Sequence, residues 1–263
     1  MHGNVVKLLF FACFCFVLSC STLQIQKFGT DVTSSSADTE ALFFDAAAGG
    51  NIFLVMRLVE ENMVDVNVRD HYGWRGWMYA ARYGHNGLIE YFLTKKININ
   101  AREDKGQTAL IIAASAGNAQ VVEFLLDSGA DATIQDFYGY TALKWAIYDR
   151  RWDCICLLAS VKKGIDIQNS KGETAVHMAV KFDYYDTVKL LIDKGANLNI
   201  KDKNGNTPLI LAAAAGNKAM VELLVSGKAN IFIKNNLGKT ALVAARENSH
   251  QEVVNILLKK MKK

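Results

Sequence analysis

The chain has 263 residues, 51% of them hydrophobic and 21% charged, with a single proline and a formal charge of +4, a balance that excludes a disordered chain. The charge belongs to the ends: Lys7, Lys259, Lys260, Lys262 and Lys263 leave 25 basic residues against 26 acidic ones elsewhere. So neutral a body lacks the basic face of a nucleic-acid footprint, and nucleic acid is excluded as an expected partner.

The first element is an apolar leader. Residues 5–18, VVKLLFFACFCFVL, are broken only by Lys7, and the block is shorter than the roughly 20 apolar residues of a bilayer span. A weakly positive start, an apolar centre and a small-residue exit at Ser19 predict a signal peptide over 1–19. Its exit, Val17-Leu18-Ser19-Cys20, resembles the lipobox of bacterial lipoproteins, which implies lipidation at Cys20. An ordinary signal peptide, with Cys13, Cys15 and Cys20 as apolar filler, is the other reading. Residues 20–38 are polar and rich in hydroxyls, and predict a flexible tether.

A repeat follows. Gly73, Gly106, Gly139, Gly172, Gly205 and Gly238 are each 33 residues apart. Behind them come Thr108-Ala109-Leu110, Thr141-Ala142-Leu143, Thr174-Ala175-Val176-His177, Thr207-Pro208-Leu209 and Thr240-Ala241-Leu242, then small residues such as Ala80-Ala81, Ala113-Ala114 and Ala212-Ala213. Glycine suits a tight turn, the threonine two residues later is placed to cap a helix, and paired alanines let helices approach closely. A second, amphipathic helix follows in each copy, with Val121, Val122 and Leu125 inward and Glu123 outward.

This pattern resembles the ankyrin repeat, a 33-residue β-turn and helix pair with the signature Thr-Pro-Leu-His-x-Ala. The resemblance implies an all-α solenoid of about seven helix-turn-helix units with β-hairpin loops, over 39–69, 70–102, 103–135, 136–168, 169–201, 202–234 and 235–263. One unit cannot bury its own apolar face, so neighbours supply the core. In unit 2 Arg75-Gly76-Trp77 replaces Thr-Pro-Leu, which removes the cap and puts the turn after unit 1 in doubt. Arg150 and Asp183 stand where glycine turns the chain between helices, so altered turns are expected in units 4 and 5. Unit 1 lacks the turn glycine and is expected to open on a helix capped near Asp38 or Thr39. Arg246, Glu247, Asn248, Lys259 and Lys260 give unit 7 the wet face of an end cap; attraction to anionic lipid is the other use of its basic tail.

No HExxH, GxSxG, phosphate loop or Cys-x-x-Cys occurs, so no enzyme, cofactor or metal is expected. By register Cys154 is inward and Cys156 outward. His177 fills the family's Thr-x-x-His slot, and His85 and His250 begin second helices. The variable slots are the distinctive feature. Among ankyrin proteins the partner meets the hairpin tips and the exposed edge of the first helix, on the concave side. Those slots hold His71, Tyr72, Trp74 and Tyr83 in unit 2, Phe137, Tyr138, Tyr140 and Tyr148 in unit 4, and Phe182 in unit 5. Tyr and Trp dominate binding hot spots. Local packing among the tips is the alternative use of these rings.

The expected function is a non-enzymatic, monomeric scaffold with a protein partner. The lipid on Cys20 would engage the membrane of a bacterial envelope, with the chain facing the periplasm or cell surface, or else the chain is periplasmic or secreted. An inhibitor or protective, immunity-like subunit of an envelope enzyme or toxin is the alternative.

Overall fold

The computed structural model describes residues 36–261; the signal peptide, Cys20 and most of the tether lie outside them. The chain divides into Met1–Thr39 and Glu40–Lys263, and the second unit carries the repeats. Fourteen α-helices and no strand occur among the described residues. They pair as α1 (Ser36–Ala48) with α2 (Ile52–Glu60), α3 (Gly76–Tyr83) with α4 (Asn86–Leu93), α5 (Ala109–Ala116) with α6 (Ala119–Asp127), and α7 (Ala142–Tyr148) with α8 (Trp152–Ala159). After a 3-10 turn at Lys162–Gly164 come α9 (Ala175–Lys181) with α10 (Tyr185–Asp193), α11 (Pro208–Ala214) with α12 (Lys218–Ser226), and α13 (Ala241–Glu247) with α14 (Gln251–Met261).

From α3 onward first helices stack on first helices, and the expected solenoid of seven units is formed. Buried alanines make the close approach possible: Ala80, Ala113, Ala146, Ala179, Ala213 and Ala245 are fully enclosed. α5 is apolar on every side and is accordingly buried over Ala109–Ala114. The second helices bury one stripe, Val121, Val122 and Leu125 in α6 and Met220, Val221 and Leu224 in α12. Each fully buried side chain of that size stabilises by about 1.5–3 kcal/mol before entropy is charged against it. Cys154 lies in this core, where burial pushes its thiol up to about 11, and Cys156 is half-buried.

The loops close more economically than hairpins. In unit 4 the Asp136 amide donates to the Tyr140 carbonyl at 3.0 Å, and Asp136 Oδ1 accepts from the amides of Tyr138 and Tyr140. Asp70, Glu103, Asn169, Asp202 and Asn235, in the same register, do likewise. One backbone bond joins each tip to the one before, as from the Phe137 amide to the Lys105 carbonyl at 3.1 Å. A Cβ on Gly139, at φ +78°, would stand 2.6 Å from the Ser170 amide of the next tip.

Four local expectations need correction. The turn after unit 1 is intact although Arg75 makes no side-chain cap, because Asp70 organises that tip by itself. Gly76 takes the proline slot because the Phe43 ring lies where a Cβ would be, 2.6 Å away. The turns at Arg150 and Asp183 are unaltered: both residues are left-handed at φ 57°, like Gly84, Gly117 and Gly216 in register, and the next amide bonds the same carbonyl. The first helix already includes Ser36, ahead of Asp38 and inside the expected tether.

Candidate protein-binding face

In units 2, 4 and 5 the loop tips and the C-terminal ends of the first helices carry exposed rings. Tyr72, Tyr83, Phe137, Tyr138, Tyr148 and Phe182 are exposed, Phe137 by 71% and Tyr138 by 61%; His71 is exposed with its ring 3.7 Å from that of Tyr72. Trp74 and Tyr140 differ: both are half-buried and packed on the core.

The rings form two ladders. In units 1 and 2 Phe44 meets Tyr79 at 5.7 Å, Tyr79 meets Trp74 at 5.0 Å, and the Arg82 guanidinium lies over Trp74 and Tyr83. In units 4 and 5 Tyr140, Trp145, Tyr148, Phe182 and Tyr184 follow one another at 5.4–6.0 Å, closed by Arg150 4.6 Å over Tyr184. Phe137 stands apart from both ladders, beneath the Arg102 guanidinium at 5.5 Å.

Two residues tie the ladders to their tips. The Tyr79 hydroxyl donates to Asp70 Oδ2 and the Trp145 indole N–H to Asp136 Oδ2, each at 2.7 Å. Burial and the Asp70 bond raise the Tyr79 phenol well above the usual range, so it remains a donor. Sequence reasoning missed both. The signal was available: six residues after the turn glycine, units 2 and 4 carry aromatics where units 3, 5 and 6 have Ile112, Met178 and Leu211.

Three histidines, His85, His177 and His250, are structural. His85 Nε2 bonds the Ala48 carbonyl at 2.7 Å and His250 Nε2 the Ala214 carbonyl at 3.1 Å, each fastening one unit to its predecessor. Asn118 and Arg151 make the same link from the same slot. His177 bonds the Thr174 hydroxyl and the Asn206 carbonyl of the next loop. In unit 4 that slot holds Lys144, which is buried and donates to the Ile167 carbonyl, leaving the Thr141 hydroxyl without a partner. Among the described residues no group of His, Cys, Asp and Glu could hold a metal ion, and no helix is long and apolar enough to cross a membrane.

The family model Ankyrin repeats (3 copies), which describes three consecutive repeats, matches the chain five times, over residues 4–103, 43–136, 77–171, 135–202 and 176–263. Among solved structures the chain is similar to the ankyrin repeat domain of Bcl-3, of the IkappaB protein family, at 25% identity over 82% of this chain and 97% of that one (TM-score 0.76). The human ASB11 ankyrin repeat domain is 27% identical over 83% and 96% (TM-score 0.67). A chain from the complex of the Bdellovibrio bacteriovorus predatory endopeptidase Bd0816 with immunity protein Bd3460 is 31% identical over 70% and 96% (TM-score 0.62). No curated protein matches the chain.

Proposed function

The chain belongs to the ankyrin repeat family, a fold of protein–protein interaction scaffolds, and from that premise we propose that it is a non-enzymatic scaffold anchored in a bacterial envelope through lipidated Cys20. The aromatic first-helix face of units 2 to 5 is the partner site, with Tyr72, Tyr83, Phe137, Tyr138, Tyr148 and Phe182 as contacts and His71 beside them. Trp74 and Tyr140 support that face from below. The observation that carries this reading is the clustering of exposed rings in the tip and first-helix slots of units 2, 4 and 5: the core pattern repeats in all units, these side chains do not, and the other exposed rings, Phe53, Trp152, Tyr185 and Phe232, lie outside those slots. The chain acts as a monomer and presents this face to the periplasm or the cell surface.

One similarity favours a second reading. The complex of an endopeptidase with an immunity protein supports a protective subunit that covers an envelope enzyme.

Capture from envelope extract tests the site. Replacing Tyr83, Phe137 and Tyr148 together by alanine is expected to abolish capture of the partner while the thermal midpoint holds; undiminished capture would contradict the assignment. Cys20→Ala is expected to release the chain from the membrane fraction, and unchanged membrane retention would remove the anchor. Inhibition of a hydrolase by the purified chain would decide for the protective reading.

A further inference from the structure

The two ladders leave a notch at unit 3. Where unit 2 has Tyr79, Arg82 and Tyr83, and unit 4 has Trp145, Tyr148 and Asp149, unit 3 has only Ile112, Ser115 and Ala116. The small side chains open a cavity of about 280 Å³, whose polar rim is Arg82, Gln107, Ser115, Asp149 and Arg151, with Tyr83 as one wall.

The cavity lining carries two cations, Arg82 and Arg151, against one acid, Asp149. Five of the eight arginines of the chain, Arg75, Arg82, Arg102, Arg150 and Arg151, lie in units 2 to 4. None forms an ion pair among the described residues; the pairs there belong to Arg57, Lys95, Lys181, Lys218 and Lys239. Four of the five are spent on carbonyls or on the Tyr184 hydroxyl. Arg82 is exposed, and its guanidinium lies over Trp74 and Tyr83, 5.8 and 6.0 Å from the ring centres, with no hydrogen-bond acceptor among the described residues. Arg151 lines the cavity, donates through Nε to the Ser115 carbonyl and forms no ion pair among the described residues. The one acid on the rim, Asp149, accepts from the Ser115 hydroxyl at 2.6 Å.

Resting on the binding face assigned above, we propose that this notch takes a carboxylate side chain from an acidic, extended segment of the partner protein, held between Arg82 and Arg151. Guanidinium groups recognise carboxylates with paired, charge-assisted bonds, and one already stacked on an indole loses little freedom on binding. Apolar residues of the same segment meet Tyr83 at the cavity and Tyr148 beyond its rim. The two rings belong to units two apart, about 20 Å, which roughly six extended residues span. A basic segment would meet two guanidiniums and a single, already bonded acid.

A random peptide display library selected on the immobilised full chain provides the probe. The expected peptides carry Asp or Glu beside apolar residues, bind Arg82→Glu roughly tenfold more weakly, bind Asp149→Asn more tightly, and weaken as salt rises. Arg82 is exposed and Asp149 half-buried on the cavity rim, and an unchanged thermal midpoint of each variant shows that the fold is kept. Peptides without an acidic preference, or indifferent to Arg82→Glu, overturn the carboxylate site while the binding face stands. A selection that yields no peptide dependent on Tyr83 or Tyr148 overturns the face, and this site with it.

Discussion

The ring of Tyr148 meets that of Phe182 edge-on at 6.0 Å, joining unit 4 to unit 5 across the exposed edge of two first helices. Both residues remain partly exposed, Tyr148 by 52% and Phe182 by 38%, so the pair leaves area available to a partner and adds little to the core. An edge-to-face pair contributes about 0.5–1.5 kcal/mol beyond its burial, and an exposed one falls at the lower end. Tyr148→Ala with Phe182→Ala is therefore expected to lower the thermal midpoint by no more than about 4 °C while partner capture falls at least about tenfold. Parallel melting and capture measurements separate the two effects.

Lys144 predicts a pH dependence opposite to that of most proteins. Burial pushes its ammonium from 10.5 down to about 8, against the attraction of Glu173 and Asp136. The unfolded chain keeps the proton up to about 10.5, so it binds more protons than the fold between those values and stability rises with pH there. The shift corresponds to about 3 kcal/mol at most. Lys144→Ile, the residue found in this slot in units 3 and 6, is expected to raise stability at pH 7 and to erase the rise between pH 8 and 10.5, read by urea denaturation. The comparison between the two proteins cancels the opposing contributions of Tyr79 and Tyr91, whose phenols burial raises.

His177 works on the acid side. Burial holds its imidazole below the usual range although the Asn206 carbonyl, Asp202 and Glu173 favour the charged form. The unfolded chain takes up the proton first as pH falls below about 6.5, so stability is lost from there downward. His177→Asn is expected to be less stable at pH 7, by about 1–3 kcal/mol for the broken bonds, and to lose less than the parent between pH 7 and 5. A parallel decline of the two would contradict this account.

Ser249 is left-handed at φ 60° and makes no side-chain bond that Gly would lose. Ser249→Gly is expected to stabilise by about 0.5–1 kcal/mol, because the left-handed region is strained for a residue with a Cβ. The reciprocal Gly216→Ser is expected to destabilise, since its Cβ would meet the His250 ring at 2.5 Å. Chemical denaturation of both variants checks the pair of signs.

These turns show what the sequence carried and what it hid. The 33-residue register located the helices, the Thr108, Thr207 and Thr240 caps, the core alanines and the His85, His177 and His250 slots, because each follows from a residue type at a fixed distance from a glycine. Arg150 and Asp183 misled because the stack imposes the turn whatever residue stands there. Trp74 and Tyr140 read as surface residues from their slots, and only packing shows that neighbouring rings cover half of each. Tyr79 and Trp145 were readable by the same register, one helical turn further along. Lys144 was not: nothing in its neighbours announces a lysine enclosed by the next loop.

Site-specific photo-cross-linking in cells tests the central claim most directly, since it requires no knowledge of the partner. With benzoylphenylalanine placed at Tyr83, Phe137 or Tyr148, the same protein partner is expected to be trapped from all three positions. Probes at Phe53 and Tyr185, equally exposed but on the second helices α2 and α10, are expected to trap none. A partner trapped from Phe53 or Tyr185 and absent from Tyr83, Phe137 and Tyr148 would contradict the assigned face.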